Sequence, residues 1–183
     1  MALEPSAAPA RTSSRAGQDF VFVLEQSLGH AVHGADLERT IAARPDLSAR
    51  VIRVGRGTPG LTRHVPGMRT WSFQASYATR MALGQRIAGA RADALFIHTQ
   101  VAALLSTRIM KAIPTVVSMD ATPMNLDSIG RGYAHNRQAR PVEWVKWRIN
   151  KRAFDAAQAL VTWSRWAAES LIEDYGVDTG KVH

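Results

Sequence analysis

The stretch Phe20-Val-Phe-Val-Leu-Glu25 decides the fold, because it is a continuous apolar run that ends in a polar residue. A strand buried on both faces has this composition, and such strands are typical of parallel sheets. Four similar runs follow along the chain: Arg50-Val-Ile-Arg-Val54, Ala94-Leu-Phe-Ile-His98, Thr115-Val-Val-Ser-Met119 and Ala159-Leu-Val-Thr-Trp163. The sequence therefore predicts five buried strands.

Helical patterns lie between these strands, and turn-forming residues separate the two. The predicted helices cover residues 35–43, 71–91, 101–111, 141–157 and 164–175. The predicted loops cover residues 26–34, 55–67 and 120–140. This alternation predicts an α/β fold, a Rossmann-like doubly wound parallel sheet with helices on both faces. Lys181-Val-His183 resembles the first half of another strand, so we expect the chain to be part of a longer protein.

The bulk composition fits one globular domain. The chain has 183 residues, of which 46% are hydrophobic, and no cysteine, which excludes disulfides and thiolate metal sites. Residues 1–18 are rich in Ala, Ser, Pro and Arg, so we expect a disordered tail followed by one domain over residues 19–183. The sequence has neither a secretory signal nor a membrane-spanning run, which favours a cytoplasmic protein that is soluble or peripheral at the inner membrane face.

The net charge of +8 comes mostly from one stretch. Between Arg131 and Arg152 seven basic residues face a single acid, Glu143. On a helical wheel this stretch has one apolar stripe that we expect to face the core: Val142, Val145, Ile149, Ala153, Ala156 and Leu160. A second stripe carries Trp147 and Phe154, with Trp144 and Lys151 beside it. Such a basic aromatic helix suits an anionic membrane surface or an acidic polymer, unless neighbouring segments bury the aromatic rings.

Ligands of open parallel sheets bind beyond the carboxyl ends of the strands. That rule selects the residues that follow each predicted strand. The candidates are Gly29 and His30 after the first strand, His98, Thr99 and Gln100 at the third, Asp120 and Thr122 after the fourth, and Ser164 and Arg165 after the fifth. We expect this edge of the sheet to hold the functional site.

Two of these candidates have alternatives. The loop with Gly29, His30, His33 and Gly34 can present backbone amides and an imidazole to a phosphate or sugar, or it can be a tight turn with two exposed histidines. A metal is not expected there, because no third ligand is evident. Asp120 can accept hydrogen bonds from sugar hydroxyls and support catalysis, or it can cap its own loop. The sequence shows no nucleophile elbow, P-loop or nucleic-acid-binding motif.

Three blocks together resemble the N-terminal domain of group 1 (family 4) glycosyltransferases of the GT-B fold. They are Ser27-Leu-Gly-His-Ala-Val-His-Gly34, Pro114-Thr-Val-Val-Ser-Met-Asp-Ala-Thr-Pro123 and Val161-Thr-Trp-Ser-Arg-Trp-Ala-Ala-Glu-Ser-Leu171. The segments Asp174-Tyr-Gly-Val177 and Lys181-Val-His183 resemble the family's approach to its interdomain linker. The resemblance covers residues 19–183.

The resemblance implies a two-domain, retaining hexosyltransferase without a cofactor, of which this chain is the acceptor-side half and inactive alone. Its partners would be a nucleotide-sugar donor, bound mostly by an absent C-terminal domain, and a sugar, lipid or other hydroxyl acceptor; no nucleic acid is expected. Gly29 and His30 would lie near the donor phosphates and the acceptor. Asp120 would face the cleft, and Ser164 matches the family's serine after the fifth strand. Many relatives have two consecutive glycines in the first loop, whereas here His30 follows Gly29.

Overall fold

The computed structural model describes residues 18–27, 29–55, 70–87, 92–130 and 139–183. Residues 1–17 of the predicted tail and most of the predicted loop at 55–67 lie outside this range. Five strands form one sheet: β1 Asp19–Glu25, β2 Ser48–Val54, β3 Ala94–His98, β4 Thr115–Met119 and β5 Ala159–Thr162. All four pairings are parallel, and the strand order is β2-β1-β3-β4-β5. The five predicted strands and the parallel sheet are confirmed.

Helices cover both faces of this sheet, as the alternation predicts. They are α1 His30–Ala42, α2 Trp71–Ile87, α3 Gln100–Ala103, α4 Thr107–Ala112, α5 Pro123–Ile129, α6 Arg140–Ala156 and α7 Arg165–Glu173. Successive strand residues point to opposite faces. Ile97 belongs to the same buried cluster as Leu83 of α2, whereas the next residue, His98, contacts His33 of α1. No helix among the described residues is long and apolar enough to cross a membrane.

Several helix boundaries differ from the predicted ones. The helix predicted at residue 35 begins at His30. The bond from His30 to Glu25 and the packing of buried Gly34 against the end of β1 outweigh the weak helix propensity of glycine. The helix predicted over 101–111 is interrupted at residues 104–106, and Ser106 is the N-cap of α4. At the chain's end a 3-10 turn, Thr179–Lys181, precedes a single parallel bridge between Val182 and Leu160, so the predicted strand is only begun.

Helix α5 lies in a segment that loop composition made us predict as irregular. Its start nevertheless has clear signals. Thr122 is the N-cap and forms a reciprocal capping box with Asn125, and Pro123 occupies the first turn. These contacts satisfy backbone amides that would otherwise lack partners, which explains why a short helix is stable here.

The predicted core stripe of α6 is wrong in its first half. Val142, Val145 and Ile149 are exposed, whereas Phe154 is fully buried and Trp147 packs against the core. The reason is Tyr175, which follows α7. Its ring is parallel to Trp147 at 6.0 Å and perpendicular to Phe154 at 4.9 Å. The aromatic stripe therefore anchors the helix to the domain, and a basic, partly apolar face points outward.

Candidate functional site

The carboxyl ends of four strands meet at one edge of the sheet. Leu24 of β1 pairs with His98 of β3, His98 pairs with Ser118 of β4, and Met119 pairs with Thr162 of β5. This register sets the residues at the strand ends side by side, although they are far apart in sequence. The predicted site residues that follow these strands accordingly share one edge.

His30 lies between two carboxylates at this edge. Its Nδ1 is 2.7 Å from Glu25 Oε2, and its Nε2 is 3.4 Å from Asp120 Oδ2. The hydrogen bond with Asp120, then that with Glu25, raises the pKa of His30 from 6.5 to about 9 in spite of burial. His30 is therefore an imidazolium at neutral pH, a cation at the first residue of α1.

Asp120 caps its own loop, which is one of the two roles that the sequence left open, and its other carboxylate oxygen lies at the site. Its Oδ1 accepts a hydrogen bond from the amide of Ala121 at 2.9 Å, and its Oδ2 faces His30. Burial opposes the charged form, but the hydrogen bond and positive charge of His30 outweigh it and lower the pKa of Asp120 below 3.8. Because 47% of its side chain is still exposed, an ionised carboxylate faces solvent at the site.

An aromatic group lies beside this carboxylate–imidazolium set. His98 is fully buried, and its Nε2 is 2.9 Å from Nδ1 of His33. Burial, followed by the charges of His33 and His30, lowers the pKa of His98 to about 4, so this ring is neutral at neutral pH. Trp163 packs against His33 with ring centres 4.2 Å apart, and its Nε1 donates to Ser118 Oγ at 2.8 Å. The rings of His33, His98 and Trp163 pack on one another beside His30.

Thr99 and Gln100 line the same edge and carry unsatisfied polar atoms. Thr99 has φ 80°, a strained value for a β-branched residue. Its Oγ1, Gln100 Oε1 and His98 Nδ1 are buried without a hydrogen-bond partner among the described residues. Gln100 itself is held by a bond from its Nε2 to the carbonyl of Ala121. Unsatisfied buried polar atoms are costly, so their clustering at this edge marks a place for water or a polar ligand.

The remaining predicted residues have different surroundings. Gly29 directly precedes His30 as the N-cap of α1. Ser164 caps α7 by accepting a bond from the amide of Ala167, and the neighbouring Arg165 is exposed. Thr122 is placed in the interior instead of the cleft, because its hydroxyl is buried between Asn125 and Ser170. Its contacts are those of a helix cap.

The sequence predicts no role in the site for Glu25 or Trp163, and it indicates His33 only as part of the loop that also holds His30. Glu25 and Trp163 each end a predicted strand, and strand composition alone predicts no side-chain partner for them. A signal did exist for Glu25, since a charged residue that closes an apolar strand needs a partner when buried. Among the described residues, no group of three or more His, Asp or Glu is arranged to hold a metal ion.

A protein-family model described as Glycosyltransferase Family 4 matches residues 24–183, which include every strand end of the site. The chain belongs to this family. None of the curated proteins matches it. The predicted family resemblance is confirmed over nearly the whole described part of the chain.

Solved structures with the same fold agree with the architecture of this family 4 domain. A protein described as a UDP-N-acetylglucosamine 2-epimerase from Listeria monocytogenes superposes with a TM-score of 0.55 at 11% identity, over 92% of this chain and 44% of that one. Apo UGT2 of Phytolacca americana gives 0.53 at 14% identity, over 91% and 51%. UGT2 in complex with UDP-2fluoro-glucose and pterostilbene gives 0.51 at 14%, over 91% and 53%. The chain thus spans about half the length of these proteins.

Proposed function

We propose that this domain is the acceptor-side half of a retaining glycosyltransferase that moves a hexose from a nucleotide sugar to an acceptor hydroxyl. The observation that carries the proposal is the Glu25–His30–Asp120 set at the carboxyl edge of a family 4 domain. The UGT2 complex with UDP-2fluoro-glucose and pterostilbene supports a donor and an acceptor of these classes. In this proposal the donor is bound mainly by a second domain.

Asp120 is the group that we propose contacts the acceptor. Its lowered pKa keeps it ionised at neutral pH, so it is a poor general base but accepts hydrogen bonds, and it orients a hydroxyl-bearing acceptor beside the donor. The acceptor oxygen then bonds to the anomeric carbon while the bond from that carbon to the diphosphate breaks. The electron pair of the broken bond and the hydroxyl proton both go to the departing diphosphate.

His30 contributes charge in this scheme. A side chain with a pKa of about 9 stays protonated at neutral pH, so it is a poor general base there. Because carboxylates engage both of its ring nitrogens, its positive charge serves to keep Asp120 ionised beside the acceptor. Glu25 and Asp120 hold the ring in position for this role.

Asp120→Ala in the full-length protein tests the proposal. We expect turnover to fall by roughly tenfold or more, the range for a lost transition-state contact, with folding intact because the side chain is half exposed. Asp46→Ala, which removes an exposed carboxylate at a turn before β2, is the matched control and should leave turnover unchanged. Equal turnover in the wild type and the Asp120 variant would remove Asp120 from the mechanism.

The alternative function is a Rossmann-like module without catalytic activity that binds an anionic membrane surface or an acidic polymer through its basic helix, α6, and the aromatic stripe on it. The structure uses that stripe for the core, because Phe154 is fully buried and Trp147 donates a hydrogen bond to the carbonyl of Asp174. Trp147 and Phe154 are therefore not available to a partner. Glycosyl transfer is the function that the site supports best.

A further inference from the structure

Two residues connect the end of β4 to the cap of α5, and one of them is Asp120. The other is Ala121, whose amide donates a hydrogen bond to Asp120 Oδ1 at 2.9 Å. The next residue, Thr122, is already fixed by its capping box at the start of α5. The direction of the Asp120 carboxylate therefore depends on how Ala121 is held.

Gln100 holds Ala121 from the neighbouring strand end. Its Nε2 donates a hydrogen bond to the carbonyl oxygen of Ala121 at 3.0 Å. Both residues are buried, so this bond lies in a medium of low dielectric constant, where a hydrogen bond is stronger than in water. The carbonyl of Ala121 thus accepts from Gln100 while its amide donates to Asp120. These two bonds join the start of α3 to the carboxylate of the site.

The position of the Gln100 amide costs stability in two ways. Its Oε1 is buried without a hydrogen-bond partner among the described residues. The preceding residue, Thr99, has φ 80°, and backbone strain of this kind is found mainly at functional sites. The amide of Thr99 donates to the carbonyl of Ser118, so the strained turn lies against the end of β4. This turn carries the chain into α3, whose first residue, Gln100, reaches the segment that follows β4.

We propose that Gln100 is a positioning residue, which holds the Asp120 carboxylate beside His30 through the backbone of Ala121. The proposal rests on the proposed function, because Asp120 is the group proposed to contact the acceptor. Gln100 itself acts without contact with the acceptor, since Ala121 engages its donor. This role differs from the substrate contact that its place at the strand end suggests.

An NMR titration of the His30 ring in the full-length protein tests this geometry without any substrate. His30 faces the carboxylates of Glu25 and Asp120 and the ring of His98, and the bond with Asp120 contributes most to its raised pKa. Gln100→Met removes the donor at similar side-chain length and changes no charge, so a change in the pKa of His30 reports a movement of Asp120. We expect this pKa to fall by about one unit, because a nearby opposite charge shifts a pKa by about 1–3 units.

Two further variants complete the titration. Gln158→Met is the matched control, because Gln158 is exposed in the turn before β5, at the opposite edge of the sheet, and it should leave the pKa of His30 unchanged. Gln100→Asn keeps the amide but is one methylene shorter, so it should also lower the pKa, and it replaces the Met variant if that one does not fold. Urea unfolding shows which variants are folded. An unchanged pKa of His30 in a folded Gln100 variant would overturn the proposal.

Turnover of the full-length protein, measured as for Asp120→Ala, gives the second test. Gln100→Met should lower turnover by roughly tenfold or more, the order expected for a misplaced group, and should have no further effect in an Asp120→Ala background. Equal losses in the two backgrounds would show that Gln100 acts independently of Asp120 and would overturn the proposal. If Asp120→Ala alone retains full turnover, the role of Asp120 in transfer is rejected, whereas the titration still decides whether Gln100 holds this carboxylate.

Discussion

His30 offers a quantitative test of the site's electrostatics. Its pKa rises from 6.5 to about 9 when the hydrogen bonds to Asp120 and Glu25 form on folding. At about 1.4 kcal/mol for each pH unit, this rise corresponds to ~3 kcal/mol of stability. Because the folded pKa is the higher one, the stabilisation is complete below pH 6.5 and is lost as the pH increases through 9.

The assay is urea unfolding of the wild type and of His30→Gln at pH 6.5 and pH 10. The free energy of unfolding of the wild type should fall by ~3 kcal/mol more than that of the variant over this interval. His183→Gln, a change in an exposed histidine that makes no ion pair with described residues, serves as the control and should follow the wild type. An NMR titration of the His30 ring gives the folded pKa directly.

A single result would refute this reasoning. The difference in unfolding free energy between wild type and His30→Gln would then stay constant within about 1 kcal/mol from pH 6.5 to pH 10. Such a result would mean that folding does not raise the pKa of His30. The two carboxylates would then not hold an imidazolium, and the charge assigned to His30 in the transfer step would be wrong.

Two further predictions concern residues that the structure places in the core. Phe154→Ala removes a fully buried ring of α6 that packs on Tyr175. It should lower the free energy of unfolding, measured by chemical denaturation, by about 3–5 kcal/mol, and a loss under about 1 kcal/mol would contradict this packing. Thr122→Ala removes the capping box of α5 and should cost about 1–2 kcal/mol while the KM for the acceptor stays unchanged. A severalfold increase in the KM for the acceptor would instead show that Thr122 contributes to acceptor binding.

The strands could be predicted from the sequence because each is a local feature. A run such as Phe20-Val-Phe-Val-Leu-Glu25 is buried on both faces wherever it lies, so its composition alone indicates a central parallel strand. The edge rule then placed His30, His98 and Asp120 together without any knowledge of the contacts between them. Parallel register follows from the fold class, and the structure confirms it.

The orientation of α6 could not be predicted, for a physical reason. The helix has two apolar stripes, and a wheel cannot tell which one faces the core. Tyr175 decides between them, but it lies more than twenty residues away and enters the core only after α7 has packed. The contact between Glu25 and His30 could not be predicted for a similar reason. The sequence predicts a loop over residues 26–34, whereas His30 is the first residue of α1, which places its ring next to the carboxylate.

The strand order also has a consequence for biosynthesis. A ribosome releases β1 to β4 first, and β5 emerges about forty residues after β4. Until then one side of β4 presents bare amides and carbonyls, an open template on which another nascent chain can add a strand. Trp163 directly follows β5, so translation that stalls before β5 leaves both the binding edge and the β4 side of the sheet unfinished.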